Sequence, residues 1–126
     1  MPNGPEPIRV FLADDSQLIC DRVQAMLAAA GMTIVGRAGS PQSSVEAILQ
    51  SRPDVVVLDV QLEEGNGMEV LRHVRLIAPR VAFVVFSNNS APAYRKRYLA
   101  EGARQFVDKS TEFHLLAGAI EHASAR

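Results

Sequence analysis

The chain has 126 residues, enough for one domain with a sizeable core, and its 48% hydrophobic and 21% charged content is ordinary for a globular protein. With 13 basic and 14 acidic residues the formal net charge is −1, which excludes an electrostatic footprint for indiscriminate nucleic-acid or membrane binding. A single cysteine, Cys20, excludes an internal disulfide and points to a reducing compartment.

Residues 1–7, MPNGPEP, hold three of the seven prolines. They are expected to form a disordered tail before one domain over 8–126, and they lack the basic-then-apolar pattern of a secretory signal. IRVFLA (8–13) reads as a first strand, short and apolar. Ile19, Val23, Met26, Leu27 and Ala30 then recur at helical spacing, with Gly31 as the C-cap. TIVGRA (33–38) is the second strand, followed by a helix near 42–51 with Pro53 just beyond it. DVVVLDV (54–60) is the third strand, followed by a helix near 67–77 with Pro79 beyond its end. VAFVVFS (81–87) is the fourth strand, and Gly102 is expected to end the fourth helix. RQFVDK (104–109) is the fifth strand. In the last helix Phe113, Leu116, Ala117, Ile120 and Ala123 share one side, with Thr111 as N-cap. The longest mostly apolar stretch, AMLAAAGMTIV, falls short of the roughly 18–20 residues that span a bilayer, so a cytoplasmic location is expected.

Strand alternating with helix five times requires crossover connections, which predicts an α/β fold: a doubly wound five-stranded parallel sheet with five helices on both faces. The third and fourth strands are apolar at nearly every residue, as strands covered on both faces are. The second and fifth carry polar residues and suit the edges. Five strands favour the flavodoxin-like order 2-1-3-4-5, in which a site belongs at the carboxyl ends of the strands. Those ends hold Asp14 and Asp15 on strand one, Asp59 on strand three, Ser87 on strand four and Lys109 on strand five.

Each residue alone has a plainer role. Asp15 or Ser16 could cap the first helix, Asp59 and Ser87 could be loop and turn residues, and a lysine is usually solvated. Together they predict a specific chemistry. Three neighbouring carboxylates either raise one another's pKa or bind a cation. Mg²⁺ prefers hard oxygen ligands and is typically held by one or two carboxylates plus phosphate oxygens. Asp59 could then act as an oxygen nucleophile toward phosphorus, with Ser87 and Lys109 stabilising the phosphoryl oxygens.

The segments ADD (13–15), VVVLD (55–59), Gly67, Ser87 after VVF, EGA (101–103) and DK (108–109) make the chain resemble the receiver domain of two-component response regulators. The resemblance covers essentially everything after the proline-rich tail. It implies that Asp59 is the phosphoacceptor, supplied by a phosphohistidine on a sensor histidine kinase or histidine phosphotransfer protein. It implies Mg²⁺ held by Asp15 and Asp59, by the Gln61 backbone carbonyl, and by Asp14 through water. Ser87 and Lys109 would contact the phosphoryl oxygens. Phe106 takes the family's switch-aromatic position, following Ser87 and reshaping the surface of the fourth helix, fifth strand and fifth helix. The implied protein is no enzyme on a separate substrate but a signalling phosphoacceptor that assists its own phosphorylation and dephosphorylation. Its output would be a downstream protein target or an absent output domain. EHASAR closes the chain without the start of a linker, which favours a stand-alone receiver.

Many receivers have proline a few residues after the acceptor, where this chain has Glu63, Gly65 and Asn66, so a looser loop is expected. Many also have a cis proline after the lysine. Ser110 stands here, and a cis bond before a non-proline costs about 2.5–4 kcal/mol, so a trans or a strained bond is expected. Gln61 and Asn89 flank the site and are expected to control water access. The alternative is a Mg-dependent phosphatase of haloacid-dehalogenase type. That chemistry wants its nucleophile on strand one and a second aspartate two residues on, where Asp59 is followed by Gln61. A flavin site would need a phosphate-cradling Gly-rich loop in place of ADDSQL. Arg95, Lys96 and Arg97 lie about 100° apart on a helix, giving no single nucleic-acid patch. His73, His114 and His122 are expected at the surface.

Overall fold

The computed structural model describes residues 6–89 and 91–125. In chain order the elements are β1 (Arg9–Ala13), α1 (Gln17–Ala29), β2 (Thr33–Ala38), α2 (Pro41–Ser51) and β3 (Val55–Leu58). Then come β4 (Gln61–Leu62), β5 (Gly65–Asn66), α3 (Gly67–Ile77), β6 (Ala82–Ser87), α4 (Pro92–Ala100), β7 (Gln105–Asp108) and α5 (Leu116–Ser124). One five-stranded sheet runs β2-β1-β3-β6-β7, all parallel, which is the expected 2-1-3-4-5 with the small β4–β5 hairpin left out of the count. Most of the expected tail, residues 1–5, lies outside the described residues; Glu6 and Pro7 are exposed.

The alternation of side chains along each strand sorts the core into two layers. Phe11, Val56, Leu58, Phe83, Val85 and Phe106 face α2, α3 and α4, where Ile48, Leu71, Val74 and Tyr98 meet them. Val10, Leu12, Val55, Val57, Val84 and Phe86 face α1 and α5, packing on Cys20, Val23, Leu27, Leu116 and Ile120. Every residue of β3 and β6 is buried, as central strands require, whereas β2 and β7 are partly open. At roughly 25 cal/mol per Å² of apolar surface, this two-sided burial is the main force holding the strand ends in place.

Helix ends follow the chain's own signals. Ser16 caps α1 by accepting from the Ile19 N–H at 3.2 Å, and Gly31 follows the helix at φ +83°. Ser40 and Ser43 form a reciprocal capping box on α2, and Asn66 and Glu69 form another on α3. At the amino-terminal rim of the sheet Arg9 donates to the Arg52 and Ser51 carbonyls at 2.7 and 2.8 Å. Arg104 donates to the Ala123 carbonyl at 2.7 Å.

Two local expectations need correction, and a third, on the bond after Lys109, is met. The loop after Asp59 is not loose: Val60 and Leu62 are buried, Glu63 N–H bonds Gly39 O at 2.8 Å, and the β4–β5 hairpin closes over them. Thr111 does not cap the last helix. Asp108 Oδ1 accepts from the Ser110 and Thr111 amides at 2.7 and 3.0 Å instead, and a 3₁₀ turn over Phe113–Leu115 leads into α5. No peptide bond among the described residues is cis, so Lys109–Ser110 is trans.

Candidate functional site

The parallel register delivers the predicted residues to one rim. Asp14 follows β1 and its N–H bonds Ala38 O at 2.9 Å; Asp59 follows β3 and its N–H bonds Ala13 O at 2.9 Å. Lys109 follows β7, bonded through its N–H to Ser87 O at 3.0 Å. Asp14 Oδ1 then accepts from the Ser16 N–H at 2.9 Å, and Asp59 Oδ1 from the Val60 N–H at 2.7 Å. Each carboxylate is thus aimed by its own backbone. Gly67 serves the same end: a Cβ there would collide with the Asp59 carbonyl, so only glycine lets α3 start this close to the end of β3.

The side chains meet. Lys109 Nζ lies 2.6 Å from Asp14 Oδ2 and 3.0 Å from Asp59 Oδ2, with the three side chains 6%, 8% and 12% exposed. A lysine this buried is held by its partners, not by solvent. Carboxylate oxygens of Asp14, Asp15 and Asp59 all lie within 4.8 Å of one another. Three carboxylates against one ammonium leave a surplus of two negative charges in the cluster among the described residues. Burial pushes the Asp59 carboxyl above its ordinary range, Lys109 pulls it back in part, and the Asp14 charge pushes it up again. Burial alone would lower the Lys109 ammonium. The hydrogen bond to Asp14 and the charge of Asp59 outweigh that and raise it.

Ser87 is 2% exposed and accepts from the Asn89 N–H at 3.1 Å. Asp59, Gln61, Ser87, Asn88 and Asn89 line a cleft of about 280 Å³, large enough for a phosphoryl group and several waters. A groove of about 1040 Å³ lies at the opposite rim, among Arg9, Arg52, Arg80 and Arg104. It contains none of the converging groups. Phe106 is buried on β7, edge-on to Tyr98 with centroids 6.4 Å apart. Ser87, two residues past Val85, presents its side chain to the same face as Phe106. Cys20 is buried beneath the rim, with Sγ 3.6 Å from the Asp14 carbonyl oxygen, and burial raises its pKa.

The predicted set is therefore brought together: Asp14, Asp15, Asp59, Ser87 and Lys109 at one rim, Gln61 on the cleft wall, and Phe106 on the layer behind Ser87. His73, His114 and His122 are exposed, as expected. Sequence reasoning missed Glu112 and the partners of Arg95. Glu112 Oε1 accepts from the Asp108 N–H at 3.0 Å and faces Arg95 Nη2 at 3.5 Å. No local pattern marks a residue whose partners lie on another helix and the preceding turn.

A doubly wound parallel sheet carrying an acidic cluster and a buried lysine at its switch point defines a receiver-type signalling domain. The chain belongs to the response regulator receiver domain family, which matches residues 10–121. It is 36% identical over 117 residues to a protein-glutamate methylesterase/protein-glutamine glutaminase of Anaeromyxobacter dehalogenans, covering 86% of this chain and 32% of that one. It is 33% identical over 122 residues to the transcriptional regulatory protein PdtaR of Mycobacterium tuberculosis, covering 95% of this chain and 58% of that protein. Among solved structures, the response regulator domain of Thermotoga maritima CheB superposes with a TM-score of 0.85 at 25% identity, covering 94% of this chain and 96% of that one. The chain spans 32%, 32% and 55% of three of the curated relatives it matches. The haloacid-dehalogenase alternative finds no support: Asp59 follows the third strand and not the first, and Gln61 stands where that chemistry needs an acid. No helix among the described residues is long and apolar enough to cross a membrane.

Proposed function

We propose that the domain accepts a phosphoryl group on Asp59 from a phosphohistidine of a sensor kinase or phosphotransfer protein. What carries the reading is one observation: the buried Lys109 ammonium bridges Asp14 and Asp59 at 2.6 and 3.0 Å beside the exposed Asp15 carboxylate. The donor set fits Mg²⁺, since three hard carboxylates converge with a charge surplus and open onto a polar cleft. Asp15, Asp59 and the Gln61 carbonyl would hold the ion, with Asp14 assisting through water. When bound, it would supply charge neutralisation and orientation of phosphoryl oxygens.

Asp59 attacks phosphorus, the P–N bond breaks, and the imidazole nitrogen keeps the electron pair and takes a proton. The product is an acyl phosphate on Asp59. Lys109, already at hydrogen-bond distance from Asp59, and the Ser87 hydroxyl, drawn toward the new group, donate to the phosphoryl oxygens. The phosphoryl group adds roughly 1.5 to 2 negative charges. Movement of Ser87 toward it vacates space on the face it shares with Phe106, and the surface of α4, β7 and α5 changes for a downstream protein or output domain. Gln61 and Asn89, on the cleft wall, govern the access of hydrolytic water. In this role the domain turns over no separate substrate and acts in the cytoplasm.

Incubation with Mg²⁺ and a small acyl-phosphate donor, followed by intact mass, tests the acceptor. One phosphate is expected, absent in Asp59→Asn and suppressed by a chelator; equal labelling of that variant would show that another residue is the acceptor.

A further inference from the structure

We infer that Ser110 is a positioning residue whose hydroxyl ties down the turn presenting Ser87, so that the two donors to the phosphoryl oxygens are held together in advance. This deepens the proposed function and rests on it. The pairing of β6 with β7 runs out at Ser87 and Asp108, and the Lys109 N–H makes one more bond to the Ser87 carbonyl at 3.0 Å. Past that point the two segments part, one toward α4 and the other toward α5. Ser110 Oγ then donates to Asn88 Oδ1 at 3.0 Å. Its two ends lie one residue beyond Lys109 and one beyond Ser87. A side-chain bond thus continues the ladder where backbone bonding stops.

The two turns joined by this bond are unequally held. On the β7 side Asp108 Oδ1 accepts from the Ser110 and Thr111 amides at 2.7 and 3.0 Å. The Asp108 carbonyl takes the Glu112 N–H at 2.9 Å, and Glu112 Oε1 takes the Asp108 N–H at 3.0 Å. On the β6 side the Asn89 N–H reaches Ser87 Oγ at 3.1 Å, and α4 begins with no side-chain cap. The firm turn therefore steadies the loose one, and Ser110 is the anchor. Where the resemblance implies a proline ring, a hydroxyl and a carboxylate constrain this turn instead. Asn88 also lines the cleft with Asp59 and Ser87, so tethering it fixes part of the cleft wall. Turns held in register beforehand spare the ordering cost of gathering donors around an incoming group. Both partners of the bond are exposed and water competes for them, which limits the effect to roughly two- to tenfold.

The test is binding of beryllofluoride, a phosphoryl mimic, to the full chain in saturating Mg²⁺. Ser110→Ala is expected to weaken it roughly two- to tenfold, and Ser110→Thr, which keeps the hydroxyl, to bind as the wild type does. Asn88→Ala should weaken it as much, and adding Ser110→Ala in that background should cost nothing further. Mg²⁺ alone, titrated by calorimetry, should bind every variant with wild-type affinity, because Asp14, Asp15 and Asp59 are untouched. A general loosening of the rim would weaken both ligands. Unchanged or tighter beryllofluoride binding in Ser110→Ala, additive losses in the double variant, or a parallel loss of Mg²⁺ binding overturns the tether. If the wild type takes no phosphate on Asp59 and binds no beryllofluoride, the acceptor reading falls and the tether with it. If it does both and Ser110→Ala is silent, only the tether falls.

Discussion

The two rims of the sheet handle charge in opposite ways. At the amino-terminal rim Arg9 and Arg104 point guanidinium groups at the last carbonyls of α2 and α5. Each cation meets the partial negative charge of a helix end and orphaned acceptors, and the local account closes. At the carboxyl rim Asp14, Asp15 and Asp59 cluster around one buried ammonium, which pairs with Asp14 and Asp59 and leaves Asp15 beside them. Helix amino termini and backbone amides soften that crowding, as where Ser16 N–H meets Asp14, but do not cancel it. Charge that helix ends already answer belongs to the architecture; a surplus that folding leaves in place belongs to chemistry with something from outside.

That contrast can be broken experimentally. Two unit charges 4 Å apart interact by about 4 kcal/mol at an effective dielectric of 20. Removing one carboxylate should therefore be felt even after water replaces it. Asp15→Asn is expected to weaken Mg²⁺ binding roughly ten- to a hundredfold by calorimetry. Wild-type affinity would mean that the exposed carboxylate is a bystander.

A second expected effect lies in the layer behind the carboxyl rim. Tyr98 is 2% exposed, and burial pushes its phenol from 10.0 up to about 12, a hydrogen bond with the Met68 backbone notwithstanding. A raised folded-state pKa favours the neutral form in the fold. Its contribution is intact below pH 10 and is lost as pH climbs from 10 toward 12. Unfolding experiments should show stability falling by about 2–3 kcal/mol across that window. Tyr98→Phe should flatten this alkaline limb; a limb of unchanged depth would assign it to other groups. Smaller still is the amino-terminal rim. Arg104→Ala should cost about 1 kcal/mol, a Tm drop of a few degrees, with phosphate uptake unchanged. A parallel loss of uptake would show that the rims are not independent.

How much of this could be read without coordinates varies by residue. Asp14, Asp59, Ser87 and Lys109 were legible because apolar runs such as VVVL and AFVVF mark buried strands, and parallel topology then sends their ends to one rim. The burial of Lys109 was not, because nothing local distinguishes a lysine that a fold encloses from one it leaves in water. The β4–β5 hairpin escaped because two-residue strands carry no periodicity. Thr111 looked like a cap because it precedes an apolar helical stripe. Asp108, three residues earlier, had already taken its amide. The place of Arg95 depends on a side chain crossing from α4 to β7, which helical spacing alone cannot specify.

The lone thiol under the carboxyl rim offers a clock. Cys20 is enclosed by α1 and the sheet, and burial keeps it in the unreactive protonated form. A soluble disulfide reagent can reach it only when the first helix lifts away, so the modification rate counts those openings. A cation or phosphoryl group seated over Asp14, whose carbonyl the sulfur touches, should slow that clock. Occupancy of the site then becomes readable as seconds of delay, with no label added to the protein.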